Sequence, residues 1–195
     1  MLTFNAEHHH YFWEGVRVPN VTSIISDLTS YDMIDKAKLE IARQKGTAVH
    51  KMVEIWSKNE MDNFEIPEWM HPVYAQWLKF VADTGIKVIA SEKRCYHHQF
   101  RYATTLDLAV TMRHKEGLGI VEVKRSFMAG KAIGIQTAAQ AAAWESEGGD
   151  KIQWRGALKI NETSNYRFED HEDKKDFTNF LACLMHYNLL KECSA

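Results

Sequence analysis

Apolar residues recur every three or four positions between about residues 20 and 85, a spacing that predicts helices in this part of the chain. The helical pattern starts near Asp32 and is interrupted at Lys45-Gly46, after which Thr47 can cap the next helix. The last helix of this region ends at Gly85, because glycine is favoured just beyond a helix end.

Ahead of these helices, the alternation of apolar and polar residues predicts a small hairpin. Its strands are Tyr11–Trp13 and Val16–Val18, and Glu14-Gly15 forms the turn. A short helix follows, for which Thr22 is the predicted N-cap.

Beyond about residue 86 the apolar period changes to two, which is typical of strands. We predict four strands, an alanine-rich helix, two more strands and a final helix, in the order Lys87–Glu92, Cys95–Phe100, Leu106–Arg113, Leu118–Lys124, Ala132–Trp144, Trp154–Ile160, Tyr166–Glu169 and Asp173–Lys191. This order predicts an α/β fold with a central mixed β-sheet flanked by helices. We expect a single domain over residues 1–195, with a helical part at about 20–85 and an αβ core at about 86–195.

Composition excludes several classes of protein. The chain has 195 residues, of which 45% are hydrophobic and 26% charged, as in ordinary globular proteins. No apolar run is long enough to cross a bilayer and no signal peptide is recognisable, so we expect a cytoplasmic protein with no membrane partner. The three cysteines form no CxxC pair, which argues against an iron–sulfur cluster. The net charge of −2 argues against tight nonspecific binding of nucleic acid, although an acidic catalytic cluster lowers the charge of a nuclease.

The polar residues with the clearest chemistry lie in two predicted strands. Glu122 and Lys124 are two positions apart and therefore leave the same face of a strand, where a carboxylate and an ammonium group can hold a divalent metal and position a water. Asp107 lies in the apolar strand before them, and a hairpin would bring the two carboxylates together. Hard oxygen ligands of this kind suit Mg²⁺ or Mn²⁺. Solvated charges on the face or edge of the sheet are the alternative interpretation.

These residues, in this order, resemble the PD-(D/E)XK nuclease superfamily and its RecB-like branch over nearly the whole chain. The resemblance rests on five motifs, which are His10–Thr22 (like H-x-Y…G…V-P-S-V-T of phage and mitochondrial exonucleases), Gly46–His50 (GTxxH), Thr104–Asp107 (G-T-x-D), Glu122–Lys124 ((D/E)xK) and Gln136–Gln140 (Q-x-x-x-Y). The chain departs from the pattern at Thr104, where glycine is usual, and at Gln140, where tyrosine is usual.

The resemblance implies a restriction-endonuclease-like core with an N-terminal helical arch that contains Trp56, Trp69 and Trp77. It implies a divalent-metal-dependent deoxyribonuclease, most simply an exonuclease of phage type in recombination, replication or repair. Its partners would be DNA (a single strand or a duplex end) and a recombination or helicase protein, in the bacterial host cytoplasm for a phage-encoded chain.

The resemblance also implies roles for individual residues. His50, Asp107 and Glu122 would hold one or two Mg²⁺ or Mn²⁺ ions, with His50 in the first turn of its helix. Lys124 would position the attacking water, and Gln136 would orient Lys124 or the DNA strand. Two further candidates are Glu92 and Gln140.

Two alternative functions remain open, a non-catalytic DNA-end-binding or assembly subunit and an endonuclease specific for a structure or a sequence. The glutamines have an alternative of their own. Gln136 and Gln140 share one stripe of a helix with Trp144, and a stripe of glutamines is often a solvated face.

Overall fold

The computed structural model describes residues 1–29, 35–125 and 130–194. Its first element is a three-stranded antiparallel sheet of β1 (Leu2–Asn5), β2 (His10–Trp13) and β3 (Val16–Val18), in that order. The predicted hairpin is β2 and β3, and β1 adds a strand that was not predicted. The predicted helix start near Asp32 lies outside the described residues.

A five-stranded mixed sheet forms the centre of the fold. Its strands are adjacent in chain order, and only β6 and β7 run parallel. They are β4 (Lys87–His97), β5 (Tyr102–Met112), β6 (Lys115–Lys124), β7 (Ile152–Lys159) and β8 (Arg167–Asp170). The predicted mixed sheet is therefore confirmed, but the two strands predicted over residues 87–100 are one long strand, β4.

Helices flank this sheet, as predicted. Within the described ranges they are α1 (Val21–Ile24), α2 (Lys36–Ser57), α3 (His71–Thr84), α4 (Gly130–Ser146) and α5 (Asp176–Cys193). Gly85 ends α3 in the left-handed conformation at φ 59°, which confirms the predicted stop. In the described parts of the chain, no helix is both long and apolar enough to cross a bilayer.

The predicted interruption at Lys45-Gly46 is wrong, because α2 continues through it. A glycine inside a helix costs about 1 kcal/mol relative to alanine, and a helix of 22 residues that is packed along half its length tolerates that cost. Thr47 is consequently an interior residue, and Asp35 caps α2 by accepting a hydrogen bond from the Lys38 N–H at 3.0 Å.

The N-cap of α1 is likewise Asn20 rather than Thr22. The Asn20 side chain accepts a hydrogen bond from the Ser23 N–H at 2.9 Å, which satisfies one of the free donors at the start of the helix.

Two apolar clusters cover the two faces of the large sheet. Helices α2 and α3 pack on one face around Trp77 and Phe80, and Val121 and Val123 of β6 belong to this cluster. Helices α4 and α5 pack on the other face, and the second cluster includes Ile120 of β6. Trp56 and Trp69 pack against the first cluster and Trp77 is fully buried, so core packing accounts for the three tryptophans of the predicted arch.

Candidate metal centre and its cleft

The strands β5 and β6 separate at the point where the candidate acids lie. Their hydrogen-bonded ladder ends at the pair Leu108 and Val121. Beyond this pair the Val123 N–H donates to Oδ2 of Asp107 at 2.7 Å, so a carboxylate takes the place of a backbone acceptor. Asp107 is 7% exposed, and this bond fixes its orientation while satisfying one of its oxygens.

Gln140 of α4 bridges the two strands where they separate. Its Nε2 donates to the Thr105 carbonyl oxygen of β5 at 3.1 Å and to Oε2 of Glu122 in β6 at 2.8 Å. Gln140 is fully buried, so the interpretation of this position as part of a solvated helix face is wrong. The small sheet reaches the same point, because the Tyr11 hydroxyl lies 2.7 Å from Oγ1 of Thr105.

Glu122 is 2% exposed and is held by three donors. Besides Gln140, its Oε1 accepts from Nζ of Lys124 and from Nε2 of Gln136, each at 2.6 Å. Glu122 and Lys124 therefore do share a face, as their spacing predicts. Gln136 and Lys124 both donate to Oε1 of Glu122, so Gln136 can influence Lys124 through that carboxylate.

Close packing of α4 on the sheet allows both glutamines to reach Glu122. Ala139 and Ala143 of α4 are fully buried and belong to the cluster on that face of the sheet. Since alanine has only a methyl side chain, the helix axis can approach the strands closely enough for a glutamine side chain to reach a strand carboxylate.

His50, Glu92 and Asp107 form a group that could hold a metal ion. Nδ1 of His50 lies 3.3 Å from Oδ1 of Asp107 and 3.4 Å from Oε1 of Glu92. One ligand atom from each residue lies within 4.8 Å of the other two. His50 and Asp107 were predicted as ligands, and Glu92 was a further candidate. Glu122, the other predicted ligand, lies beside this group with both oxygens hydrogen-bonded.

His50 lies well inside α2 and not in the first turn of a helix, because α2 begins at Lys36. Burial by itself would lower the pKa of His50, but the charge and hydrogen bond of Asp107, with smaller contributions from Glu92 and Glu122, raise that pKa well above its usual value. The same negative potential that favours an imidazolium favours a bound cation at this position.

Glu92 occupies an unusual backbone conformation. Its φ is 49°, in the left-handed region that a residue with a side chain rarely adopts, although it lies in the middle of β4. Such a conformation costs on the order of 1–3 kcal/mol and often occurs at functional sites. Here it accompanies the placement of the Glu92 carboxylate beside His50.

The centre opens into a large cleft. The cleft has a volume of about 1970 Å³, well beyond the roughly 300–1,000 Å³ of a typical small-molecule pocket. Its walls come from the small sheet, α2, the separating strands and the segment after β7. Cationic side chains on these walls are Lys38, Arg43, Lys58, Lys93, Arg94, Lys124 and Arg125. The same walls carry the carboxylates of Glu7, Glu54, Glu92, Asp107, Glu122, Glu147 and Glu162, so the cleft presents charges of both signs and has room for an extended molecule.

No family model and no curated protein matches this chain in comparisons with known proteins. Membership of the nuclease superfamily therefore stays a prediction that rests on the motifs in the sequence. What the fold contributes is the spatial grouping of the residues in those motifs.

Proposed function

We propose that this protein is a divalent-metal-dependent deoxyribonuclease that degrades DNA from an end. The observation that carries the proposal is the convergence of His50, Asp107, Glu122 and Lys124 beside one large cleft. These residues come from α2, β5 and β6, and chance packing rarely brings an imidazole, two buried carboxylates and an ammonium group together.

The donor set fits a small divalent cation. Carboxylate oxygens of Asp107 and Glu92 with the imidazole of His50 are suitable ligands for Mn²⁺, and the oxygens are suitable for Mg²⁺. When bound, such an ion stabilises charge on a phosphodiester and lowers the pKa of a coordinated water.

The protein's own groups would do the positioning. The Val123 N–H holds Asp107, while Gln136 and Gln140 hold Glu122. Lys124 brings a positive charge to the cleft wall, where it can orient a water and stabilise the charge that develops on a cleaved phosphate. A fixed arrangement of this kind lowers the barrier because few groups need to reorient during the reaction.

The first test is metal-dependent digestion of linear DNA. Activity should require Mg²⁺ or Mn²⁺ and vanish in EDTA, whereas Ca²⁺ should bind and support little cleavage. Asp107→Asn, Glu122→Gln and Lys124→Met should each lower the rate at least ~100-fold.

Asp170→Asn and Lys115→Met are matched controls, because this ion pair of 2.6 Å lies outside the cleft-lining residues. Both should keep the wild-type rate, and circular dichroism should show that all five variants fold. Full activity in chelator, or wild-type turnover by Lys124→Met, would contradict the proposed chemistry.

The second test separates the exonuclease from its alternatives. Because the proposed enzyme starts at a DNA end, linear DNA should be degraded progressively while covalently closed circles survive. Contacts to the DNA backbone carry no sequence preference, so this result should not depend on the DNA sequence. Linear DNA with bulky blocks on both ends should survive too, and binding should weaken with added salt. Cutting of closed circles at a comparable rate would favour the endonuclease, and end binding without cleavage would favour the assembly subunit.

A further inference from the structure

An ion cluster on the cleft wall takes no part in the metal centre. It consists of Lys45 from α2, Arg125 directly after β6 and Glu162 from the segment after β7. Arg125 and Glu162 line the same cleft as Asp107 and Glu122, and Arg125 directly follows Lys124. Two members of the cluster therefore face the cleft in which we propose that DNA binds, and Lys45 directly precedes Gly46, which also lines it.

One carboxylate is shared by two cations in this cluster. Nη2 of Arg125 lies 2.6 Å from both oxygens of Glu162, and Nζ of Lys45 lies 3.0 Å from Oε1. Partial burial by itself would raise the pKa of Glu162, but the hydrogen bonds from Arg125, the backbone and Lys45 outweigh it and lower the pKa to about 2. Glu162 is therefore an anion at every physiological pH, and the three side chains together carry one positive charge.

The Glu162 carboxylate contacts only one nitrogen of the Arg125 guanidinium group. Both contacts from Arg125 come from the single nitrogen Nη2, so the two-pronged pairing that arginine makes with an anion is absent. Nε of Arg125 is buried and has no hydrogen-bond partner among the residues that the structure describes. A buried donor without a partner costs free energy, and an anion with more oxygens could satisfy it.

Other contacts hold the side chain of Lys45 and the backbone of Arg125 in place. Nζ of Lys45 lies 4.9 Å from the centre of the Trp69 ring, and the carbonyl oxygen of Arg125 accepts a hydrogen bond from Asn161 at 3.3 Å. Glu162 is on the irregular segment between β7 and β8 that also contains Asn161. A change in the side-chain conformation of Glu162 would free the two cations while leaving the strands in place.

We propose that Lys45 and Arg125 form a phosphate-binding subsite, and that the Glu162 carboxylate occupies it in place of phosphate when no substrate is bound. The inference rests on the proposed function, because the phosphates of a DNA strand are the intended ligand. Glu162 competes with those phosphates and weakens substrate binding. An internal and a terminal phosphate share the chemistry that this subsite recognises.

Glu162→Gln tests the competition, because it keeps the shape of the side chain and removes its charge. The control is Asp170→Asn, which makes the same change in net charge at the Lys115 ion pair outside the cleft-lining residues. Binding is measured in EDTA with a 3′-labelled single-stranded oligonucleotide, with and without a 5′-phosphate. Glu162→Gln should bind about threefold to fivefold more tightly than Asp170→Asn, as expected for loss of one competing ion pair.

The salt dependence gives a readout that a structural role would not change. The plot of log binding constant against log salt concentration should be steeper for Glu162→Gln by about 0.7, the value for one more phosphate contact with a single strand. Arg125→Met and Lys45→Met should each make the slope of this plot shallower. A gain confined to the 5′-phosphorylated strand identifies a terminal phosphate, and an equal gain with both strands identifies an internal one.

Inorganic phosphate provides a test of the subsite that does not depend on DNA. It should raise the melting temperature of Glu162→Gln more than that of the wild type or of Asp170→Asn, because it stabilises whichever protein binds it. Equal phosphate effects and equal DNA affinities in Glu162→Gln and Asp170→Asn would overturn the subsite, even if the wild type cleaves DNA. A phosphate effect in Glu162→Gln without cleavage by the wild type would retain the subsite and reject the nuclease. If Glu162→Gln does not fold, unchanged salt slopes in Arg125→Met and Lys45→Met overturn the subsite.

Discussion

Replacing Gln140 by leucine removes the side chain that joins the separating strands to α4. The two residues have similar volumes, so the change mainly deletes hydrogen bonds in a fully buried position. In the wild-type protein Nε2 of Gln140 donates to the Glu122 carboxylate at 2.8 Å and to the Thr105 carbonyl at 3.1 Å. After the replacement, both oxygens lose a donor that water cannot readily replace.

The expected loss of stability follows from these two bonds. A hydrogen bond to a charged group contributes about 1.5–3 kcal/mol, and a neutral one contributes about 0.5–1.5 kcal/mol. Part of this loss is offset, because Oε1 of Gln140 is buried without a partner among the described residues and leucine removes that unfavourable group. We therefore expect the free energy of unfolding to fall by about 1–3 kcal/mol, and the melting temperature by about 2–4 °C for each kcal/mol.

Urea unfolding followed by tryptophan fluorescence measures this loss. The control is Gln44→Leu, because Gln44 donates to Glu40 at 3.1 Å on the exposed face of α2 and such a pair is worth about 0.2–0.5 kcal/mol. In a Glu122→Gln background the cost of Gln140→Leu should shrink by about 1 kcal/mol, since the charged acceptor has become neutral. Equal costs for Gln140→Leu and Gln44→Leu would refute the bridging role of Gln140.

Three further predictions address acid stability, two helical glycines and metal binding. Since the pKa of Glu162 is about 2 in the folded protein and ordinarily 4.5, its carboxylate stabilises the fold above about pH 5, and this stabilisation is lost as the pH falls from about 4.5 towards 2. After allowance for solvent screening, urea unfolding at about pH 6 should show that the wild type is about 1–2 kcal/mol more stable than Glu162→Gln. A stability difference that stays constant down to pH 3 would show that the Glu162 charge is not its cause. Gly46→Ala should raise the unfolding free energy by about 0.5–1 kcal/mol, because the added Cβ meets open space. Gly134→Ala should lower the unfolding free energy, because the added Cβ would lie 2.7 Å from Oδ2 of the buried Asp176. Equal stabilisation by the two variants would exclude the contact between Gly134 and Asp176. His50→Ala should weaken Mn²⁺ binding at least ~10-fold in isothermal titration calorimetry, and unchanged affinity would remove His50 from the metal centre.

Local patterns along the chain determined most of the secondary structure. The alternation in Ile120–Lys124 predicts a strand with Val121 and Val123 on one face and Glu122 on the other, and the structure confirms this division. The period of a strand or helix depends on residues a few positions apart, so it can be read without knowing what the element packs against. The stop at Gly85 is equally local, because it depends on the freedom of one glycine to adopt a positive φ.

Errors arose where tertiary packing outweighs a local preference. Gly46 is a poor helix residue, yet α2 continues through it because the second half of the helix packs against the sheet through Val49, Met52 and Val53. Pairing with β5 likewise makes one long strand of β4, although Glu92 in its middle has a positive φ.

The sequence by itself determined the kinds of groups at the candidate site, because its motifs single out His50, Asp107, Glu122 and Lys124. Only the tertiary structure decided which partner each group has. The spacing of Gln136 and Gln140 would also fit a solvated helix face. Gln140 is buried because α4 packs where β5 and β6 separate. Lys45 and Glu162 are 117 positions apart, so no periodicity relates them. The state of the backbone is encoded by near neighbours, whereas the partners of a polar side chain depend on which distant elements the fold brings together.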